Sequence, residues 1–257
     1  MSLRRSIVVA AITALSTAVP MTAATAAAPL VQAPMRVASS AGTSTPFFIS
    51  HGGGVRHANS TSTNWAGYAA TGSTYTSVTT TFTQPKVTCS SGDQYSSFWV
   101  GLDGYSSDSV EQTGTEADCD GRTAEYSAWY EMYPADPVTY SNTVKPGDVI
   151  TETVSESSNK YTLTLKDTTE GWTKTTTKSE SGLARSSAEV IAEAPYSGGV
   201  LPLANFGTVN FSNSTVNGAS LSSSDPTGID MATSAGKAEA TTSALSGGSF
   251  SITWNSK

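Results

Sequence analysis

The chain has 257 residues, among them 14 Lys and Arg, 21 Asp and Glu, two His and two Cys. Charged residues make up 14% of it, against roughly 25% in an average soluble domain, so its polar surface must come mainly from Ser, Thr, Asn and Gly. The formal net charge of −7 argues against a nucleic-acid-binding protein, which needs a basic face.

The first 28 residues have the features of a secretory signal peptide. Arg4 and Arg5 supply the positive start, residues 7–19 form an apolar run, and the alanines at 26–28 offer a small-residue cleavage site. A membrane anchor is the alternative, but the apolar run is too short to cross a hydrocarbon core of about 30 Å comfortably. We therefore expect a secreted, extracellular protein that is not bound to a membrane.

Residues 29–61 are rich in Ala, Ser, Gly and Pro, which is typical of a propeptide or linker. All 21 acidic residues follow residue 62, whereas four of the basic residues precede it: Arg4, Arg5, Arg36 and Arg56. The ten remaining basic residues give residues 62–257 a formal net charge of −11. A basic propeptide could cover an acidic cleft as an inhibitor, and a disordered linker with incidental arginines is the alternative.

Both histidines, His51 and His57, lie in the segment that we expect to be removed. The domain at residues 62–257 would then contain no histidine at all. This excludes catalytic triads with histidine, histidine metal sites and histidine acid–base chemistry. Since no other cluster of metal-ligating residues is visible, we expect neither a metal nor a cofactor.

From residue 64 onward the sequence predicts strand after strand, including strands at 74–82, 148–155, 160–166 and 172–178. Turn signals separate them at Ser91-Gly92, Asp103-Gly104, Pro146-Gly147, Glu170-Gly171 and Asn217-Gly218. No window of 12 or more residues keeps a helical period. About twelve or thirteen short strands predict a single all-β domain, a sandwich or barrel, which we expect to be a monomer.

Cys89 and Cys119 are the only cysteines. A secreted protein favours a disulfide between them, and closing a loop of about thirty residues would contribute roughly 3 kcal/mol in the chain-entropy model. A catalytic cysteine is disfavoured because no histidine would remain to activate it.

The alternation of strand side chains selects three candidate carboxylates. In the segment 126–133, Glu131 shares a face with Trp129 and Tyr133, which is a pattern typical of a substrate groove. In the segment 187–193, Glu189 and Glu193 share the outer face, while the inner face is apolar. Each of these glutamates could equally be an ordinary exposed strand residue on this pattern alone.

Six segments resemble the motifs of the glutamic peptidases, the eqolisin family, in a bacterial-type member. They follow in order and at compatible spacing over essentially the whole domain: 62–68 (STNWAGY), 98–104 (FWVGLDG), 111–114 (EQTG), 128–134 (AWYEMYP), 187–193 (SAEVIAE) and 203–207 (LANFG). The resemblance implies a two-sheet antiparallel β-sandwich of the concanavalin-like, jelly-roll type. It also implies an endopeptidase that acts on proteins and peptides.

Carried over residue by residue, the resemblance assigns Gln112 and Glu193 as the catalytic pair. It surrounds them with Trp99, Asp103, Glu116, Trp129, Glu131, Tyr133 and Glu189. The sequence departs from the fungal pattern at two positions, because Glu116 and Ser127 both stand where fungal members have Asp. The first change keeps a carboxylate on a longer side chain, and the second removes an acid from the site.

This pair of side chains can support hydrolysis by direct attack of water. Glu193 would accept a proton from the water and later give it to the leaving nitrogen, while the Gln112 amide would stabilise the oxyanion. Because the amide does not titrate, the pair predicts an enzyme that works in acid. The alternatives are a glycoside hydrolase with Glu131 and Glu193 as its acids, and a carbohydrate-binding module that uses Trp129 and Tyr133. The glycoside hydrolase does not explain the Gln112 motif, and the binding module leaves the propeptide without a role.

Overall fold

A computed structural model describes residues 59–257 of the chain. The predicted signal peptide and most of the predicted propeptide lie outside the described residues. Within the described part, no helix is long and apolar enough to cross a membrane.

The described part consists almost entirely of β-strands. One short 3-10 helix, Leu221–Ser224, is the single helical element between residues 59 and 257. The sixteen strands are β1 (Asn59–Ser62), β2 (Trp65–Thr71), β3 (Ser77–Thr83), β4 (Ser97–Leu102), β5 (Val110–Asp120), β6 (Thr123–Tyr133), β7 (Val138–Tyr140), β8 (Val149–Ser157), β9 (Lys160–Asp167), β10 (Trp172–Ser179), β11 (Ser187–Glu193), β12 (Thr208–Val216), β13 (Ala219–Ser220), β14 (Thr227–Ala232), β15 (Ala238–Thr242) and β16 (Phe250–Trp254).

Fourteen of these strands pair in one continuous path, and every pairing along that path is antiparallel. The order is β10-β9-β8-β3-β12-β16-β15-β14-β2-β11-β4-β5-β6-β7. The path folds over on itself, so that its first half packs against its second half. The two end strands then come close, because the Tyr140 hydroxyl of β7 lies 2.8 Å from the Thr176 hydroxyl of β10.

The main hydrophobic core lies between the two halves. One half contributes residues such as Phe82 of β3 and Leu163 of β9, and the other contributes Phe98 of β4 and Val190 of β11. The Phe82 and Phe98 rings, one from each half, are 6.0 Å apart. Side chains of alternate residues enter this core, so each strand has one core face and one outer face. The fold is therefore a two-sheet sandwich, as the sequence predicts.

The predicted strands at 74–82, 148–155, 160–166 and 172–178 correspond to β3, β8, β9 and β10. The predicted total of twelve or thirteen is too low. Two of the sixteen strands, β7 and β13, have only three and two residues, which is too short to show an alternating pattern. The glycines of all five predicted turns have positive φ angles, as such turns require.

The predicted disulfide between Cys89 and Cys119 is present. It joins β5 to the loop that precedes β4, with the two Cα atoms 5.5 Å apart. The loop is thereby fixed next to the strand that carries Gln112.

A glutamate of β8 lies inside the core, at a position where the alternation of its strand demands an apolar residue. Glu152 lies between Ile150 and Val154 on the core face of β8, and it is fully buried. Its cross-strand neighbours are Thr80 and Leu165. Neither carboxyl oxygen has a hydrogen-bond partner among the described residues. Burial alone raises the pKa of Glu152 well above its ordinary value, so the carboxyl is neutral in the folded protein.

We predict that Glu152→Gln makes the stability of the protein less dependent on pH. The unfolded chain releases the Glu152 proton above about pH 4.3, whereas the folded chain retains it. Each further pH unit, up to the folded pKa, therefore lowers the free energy of unfolding by about 1.4 kcal/mol. The Tm of the variant, measured by circular dichroism, should fall less between about pH 4 and about pH 7 than that of the wild type.

The matched control is Glu125→Gln, which changes an exposed strand glutamate on β6. Its Tm should follow the wild-type pH dependence. Equal slopes for Glu152→Gln and the wild type would contradict the prediction.

Candidate active site

A second, smaller apolar cluster lies on the outer face of β2, β11, β4, β5 and β6. We call this surface the site face. Its buried members are Trp65, Ala69, Trp99, Val110, Trp129, Ile191 and Ile229. The strands β4 and β11 are buried along their whole length on both faces. Acidic and amide side chains on the site face are therefore largely removed from water.

Cross-strand pairing arranges the polar residues of the site face in rows. In the first row, Glu193 of β11 lies opposite Ser97 of β4, and Ser97 lies opposite Glu116 of β5. Ser127 of β6 completes this row next to Glu116. The row thus carries two carboxyl groups, separated by a serine.

In the second row, Glu189 of β11 lies opposite Gly101 of β4, and Gly101 lies opposite Gln112 of β5. Glu131 of β6 is the next neighbour of Gln112. This row is four residues, or roughly 13 Å of strand, from the first. The proposed catalytic residues Gln112 and Glu193 therefore lie on different strands and in different rows.

Glu193 is fully buried and receives hydrogen bonds at both carboxyl oxygens. The Asn64 side-chain amide donates to Oε1 at 3.2 Å, and the Trp99 indole N–H donates to Oε2 at 2.9 Å. Both donors stabilise an ionised carboxylate. Trp99 is further held by the Trp65 ring, which meets it edge to face at a centroid distance of 4.9 Å.

Gln112 is also fully buried, and Glu131 fixes the direction of its side-chain amide. Gln112 Nε2 donates to Glu131 Oε2 at 2.6 Å. Burial raises the pKa of Glu131 to about 9, and this outweighs the opposing effect of the hydrogen bond from Gln112. A neutral carboxyl can still accept this bond through the oxygen that carries no proton, so the amide orientation persists in acid.

Two glycines make room for the indole rings between the rows. A Cβ atom on Gly101 would lie 2.9 Å from Trp99 Cζ3 and 3.2 Å from Gln112 Cβ. A Cβ atom on Gly114 would lie 2.6 Å from Trp99 Cβ and 3.0 Å from Trp129 Cζ2. The Trp99 ring therefore reaches from Glu193 in the first row to Gly101 in the second.

Glu189 lies on the same face of β11 as Glu193 but in a different environment. Neither of its oxygens has a hydrogen-bond partner among the described residues. Burial raises the pKa of Glu189 well above its ordinary value, and the charges of Asp103 and Glu111 raise it further, against a lowering effect of the Ser187 hydroxyl. Glu189 is therefore a neutral carboxyl, whereas Glu193 has the donors that a carboxylate needs.

Asp103 lies at the end of β4, away from the polar rows, and supports the start of β11. Its carboxylate accepts from the backbone N–H of Arg185 at 2.6 Å and of Ser186 at 2.8 Å. It also accepts from the Ser186 hydroxyl at 3.0 Å. The Arg185 guanidinium in turn pairs with Glu156 of β8. Asp103 thus fixes the segment that leads into the strand of Glu193.

The two positions that depart from the fungal pattern contact each other. The Ser127 hydroxyl donates to Glu116 Oε2 at 2.8 Å. A glutamate and a serine are thus in contact at the two places where the resemblance implies aspartates in fungal members. Tyr133, at the end of β6, packs at the edge of the apolar cluster of the site face.

Asn64 and Trp65 also belong to the site, although the sequence does not predict either of them as a site residue. Both lie in the segment 62–68, which the sequence resemblance already included. The missing information was the pairing of β2 with β11, which places Trp65 opposite Glu193. A strand-by-strand pattern does not specify which strands become neighbours.

A model of the Peptidase A4 family matches residues 63–254. The chain belongs to this family. Aspergillopepsin-2 of Aspergillus niger is a 33% identical relative over 198 residues, which cover 66% of this chain and 70% of the relative. The structure also resembles scytalido-glutamic peptidase in complex with a peptide-based transition-state analog. That similarity has a TM-score of 0.66 at 28% identity and covers 75% of this chain and 98% of the other.

A second Peptidase A4 structure, the aspergilloglutamic peptidase of Aspergillus niger, matches with a TM-score of 0.56 at 30% identity. The match covers 63% of this chain and 99% of that enzyme. The resemblance to glutamic peptidases and the β-sandwich class are thereby confirmed. The protein is a glutamic endopeptidase, and its substrates are proteins or peptides.

We predict that Glu131 acts through its hydrogen bond to Gln112 and not through a negative charge. Glu131→Gln keeps an oxygen acceptor for Gln112 Nε2, so kcat should remain within about threefold of the wild type. Glu131→Met keeps the length of the side chain but removes the acceptor, and kcat should fall at least about tenfold because the amide loses its orientation. The measurement is cleavage of a fluorogenic peptide across acidic pH.

The Tm of each variant shows whether it is folded. A Glu131→Met variant with wild-type kcat would contradict the prediction. Equal impairment of Glu131→Gln and Glu131→Met would show that charge or shape matters more than the acceptor.

Proposed function

We propose that the protein is a secreted acid endopeptidase in which Glu193 activates the attacking water and Gln112 stabilises the oxyanion. The observation that carries this proposal is the contrast between two glutamates of one strand. Glu193 receives two hydrogen bonds from Asn64 and Trp99, whereas the Glu189 oxygens have no partner among the described residues. A general base must hold a negative charge before the reaction, and only Glu193 has donors to stabilise it.

The reaction begins when the Glu193 carboxylate takes a proton from a water molecule. The water oxygen forms a bond to the carbonyl carbon of the scissile peptide, and the carbonyl oxygen becomes an oxyanion. Gln112 donates a hydrogen bond from its side-chain N–H to this oxyanion. The tetrahedral intermediate then collapses, the C–N bond breaks, and the leaving nitrogen takes the proton from Glu193. The carboxylate is thereby restored for the next cycle.

The contact with Glu131 suits Gln112 for this role. An amide NH₂ group has two hydrogens, so Nε2 can keep its bond to Glu131 while it donates to an oxyanion. The side-chain oxygen of Gln112 then points away from Glu131, where it can orient the attacking water. Because neither an amide nor a neutral Glu131 changes charge in acid, this half of the site stays competent at low pH.

We also propose that the protein is secreted and that its propeptide inhibits it before activation. The signal-like residues 1–28 and the disulfide of Cys89 and Cys119 both fit an extracellular protein. The basic segment at residues 29–61 would bind a domain with a net charge of −11 and inhibit it near neutral pH. In acid the carboxylates take up protons, the attraction weakens and the segment is cut away. The mature enzyme would act as a monomer.

We predict that Glu193→Gln and Gln112→Ala abolish most of the activity and that Glu189→Gln does not. Loss of the base should lower kcat at least about a thousandfold, and loss of the oxyanion donor about a hundredfold to a thousandfold. Glu189→Gln replaces one neutral group by another of the same shape, so it should keep most of the wild-type kcat. The measurement is cleavage of a denatured protein substrate by the mature enzyme between about pH 2 and about pH 8.

Glu189→Gln serves as the matched control, because it makes the same substitution on the same strand face. Retained activity in Glu193→Gln would overturn the assignment of the base. A wild-type activity that rises toward alkaline pH would overturn the acid mechanism.

A further inference from the structure

Trp129 carries a buried donor on the site face that the mechanism above leaves without a role. Trp129 is 1% exposed, and its indole N–H has no hydrogen-bond partner among the described residues. A buried N–H without an acceptor costs free energy that a folded protein normally avoids. The equivalent group of Trp99, in the same cross-strand row, is fully used by Glu193. Trp129 therefore carries an unused donor next to the proposed catalytic residues.

The position of the Trp129 ring is fixed by its neighbours. Trp129 lies opposite Gly114 of β5, and its Cζ2 atom is 3.0 Å from the place where a Gly114 Cβ would be. Cζ2 is two bonds from the indole nitrogen, so the N–H edge of the ring lies toward β5. On the site face of β5, Gly114 is flanked by Gln112 and Glu116. The donor thus lies at the Gly114 position of β5, between the positions of Gln112 and Glu116.

A second unpaired polar atom lies two residues further along the same strand. Glu131 uses Oε2 for Gln112, and its Oε1 is buried without a hydrogen-bond partner in the described part of the chain. Residues two apart on a strand share a face and repeat at about 6.6 to 6.8 Å. The carbonyl groups on one side of an extended peptide repeat at the same distance. β6 therefore carries two unpaired hydrogen-bonding side chains at consecutive positions of its site face.

We propose that Trp129 Nε1–H and Glu131 Oε1 bind the backbone of an extended peptide substrate that lies along β6. This inference rests on the proposed function, because it assumes that the site face is where peptides are cleaved. The bound peptide supplies the carbonyl acceptor that Trp129 lacks, and the protonated Oε1 of Glu131 donates to a carbonyl one repeat away. Both contacts involve backbone atoms outside the scissile bond, so they bind the ground state and the transition state equally.

The test is Trp129→Phe, which keeps an aromatic ring and removes the N–H. Uniform binding is lost, so KM for a fluorogenic peptide should rise about threefold to tenfold while kcat changes less than about twofold. The Tm should fall only modestly, because loss of a buried unpaired donor partly offsets the cavity that the smaller ring leaves. A residue that only supports the fold would lose kcat together with Tm and leave KM unchanged.

Trp254→Phe is the matched control. The Trp254 indole N–H is also buried and unpaired among the described residues, but it lies on β16, outside the site face. This variant should keep the wild-type KM and kcat. Trp129→Phe with an unchanged KM would overturn the inference.

Substrate chemistry provides a test on the wild-type enzyme itself. In a series of peptides, one backbone carbonyl at a time is replaced by a thiocarbonyl, a weaker hydrogen-bond acceptor. One position outside the scissile bond should raise KM in the wild type, and Trp129→Phe should show no such effect at that position. If no such position exists in the wild type, the inference is wrong even where Trp129→Phe cannot be purified.

These outcomes are separable from a failure of the proposed function. An inactive wild type, or an active Glu193→Gln variant, would reject the peptidase mechanism. An active wild type with normal binding by Trp129→Phe would reject only the role of Trp129.

Discussion

The chemistry of this protein depends on strands that are buried on both faces. β4 and β11 have no exposed residue along their length, because one face packs in the core and the other lies under the tryptophans of the site face. A carboxyl group in such a place loses its hydration, and hydrogen-bond donors then decide whether it can hold a charge. Glu193 has two donors. Glu189, on the same strand, has only the Ser187 hydroxyl to lower its pKa, and burial outweighs this effect.

The dependence of buried charge on hydrogen-bond donors also explains how the site face can hold a proposed base together with neutral acids. If every buried carboxyl of the site face were ionised, their repulsion would oppose the packing of the strands. Glu131 remains neutral because burial raises its pKa to about 9, and it positions Gln112 without adding charge. The cost appears in the dependence of stability on pH. Each neutral buried glutamate, Glu152 in the core included, favours the folded state in acid and weakens it as the pH rises.

Much of this arrangement could be predicted from the sequence, and particular residues show where prediction stops. Strand alternation predicts that Trp129, Glu131 and Tyr133 share a face of β6 and that Glu189 and Glu193 share a face of β11. The structure agrees for both strands. Alternation describes one strand at a time, so it does not reveal that Trp65 and Asn64 come to lie at Glu193. It also suggests an exposed outer face for Glu189 and Glu193, although both are fully buried. Burial depends on the tryptophans of neighbouring strands, and Gly101 and Gly114 give those rings their space.

The departures from the fungal pattern at Glu116 and Ser127 follow the same constraint. Two acids facing each other across β5 and β6 must share a proton or repel, since opposite positions in a strand pair bring side chains close. Here the Ser127 hydroxyl donates to Glu116, so one acid remains and its neighbour stabilises it. Glu116 lies in the row of Glu193, separated from it by Ser97. The pair therefore places one carboxyl, and not two, beside the proposed base, so that Glu193 has fewer competing charges in its row.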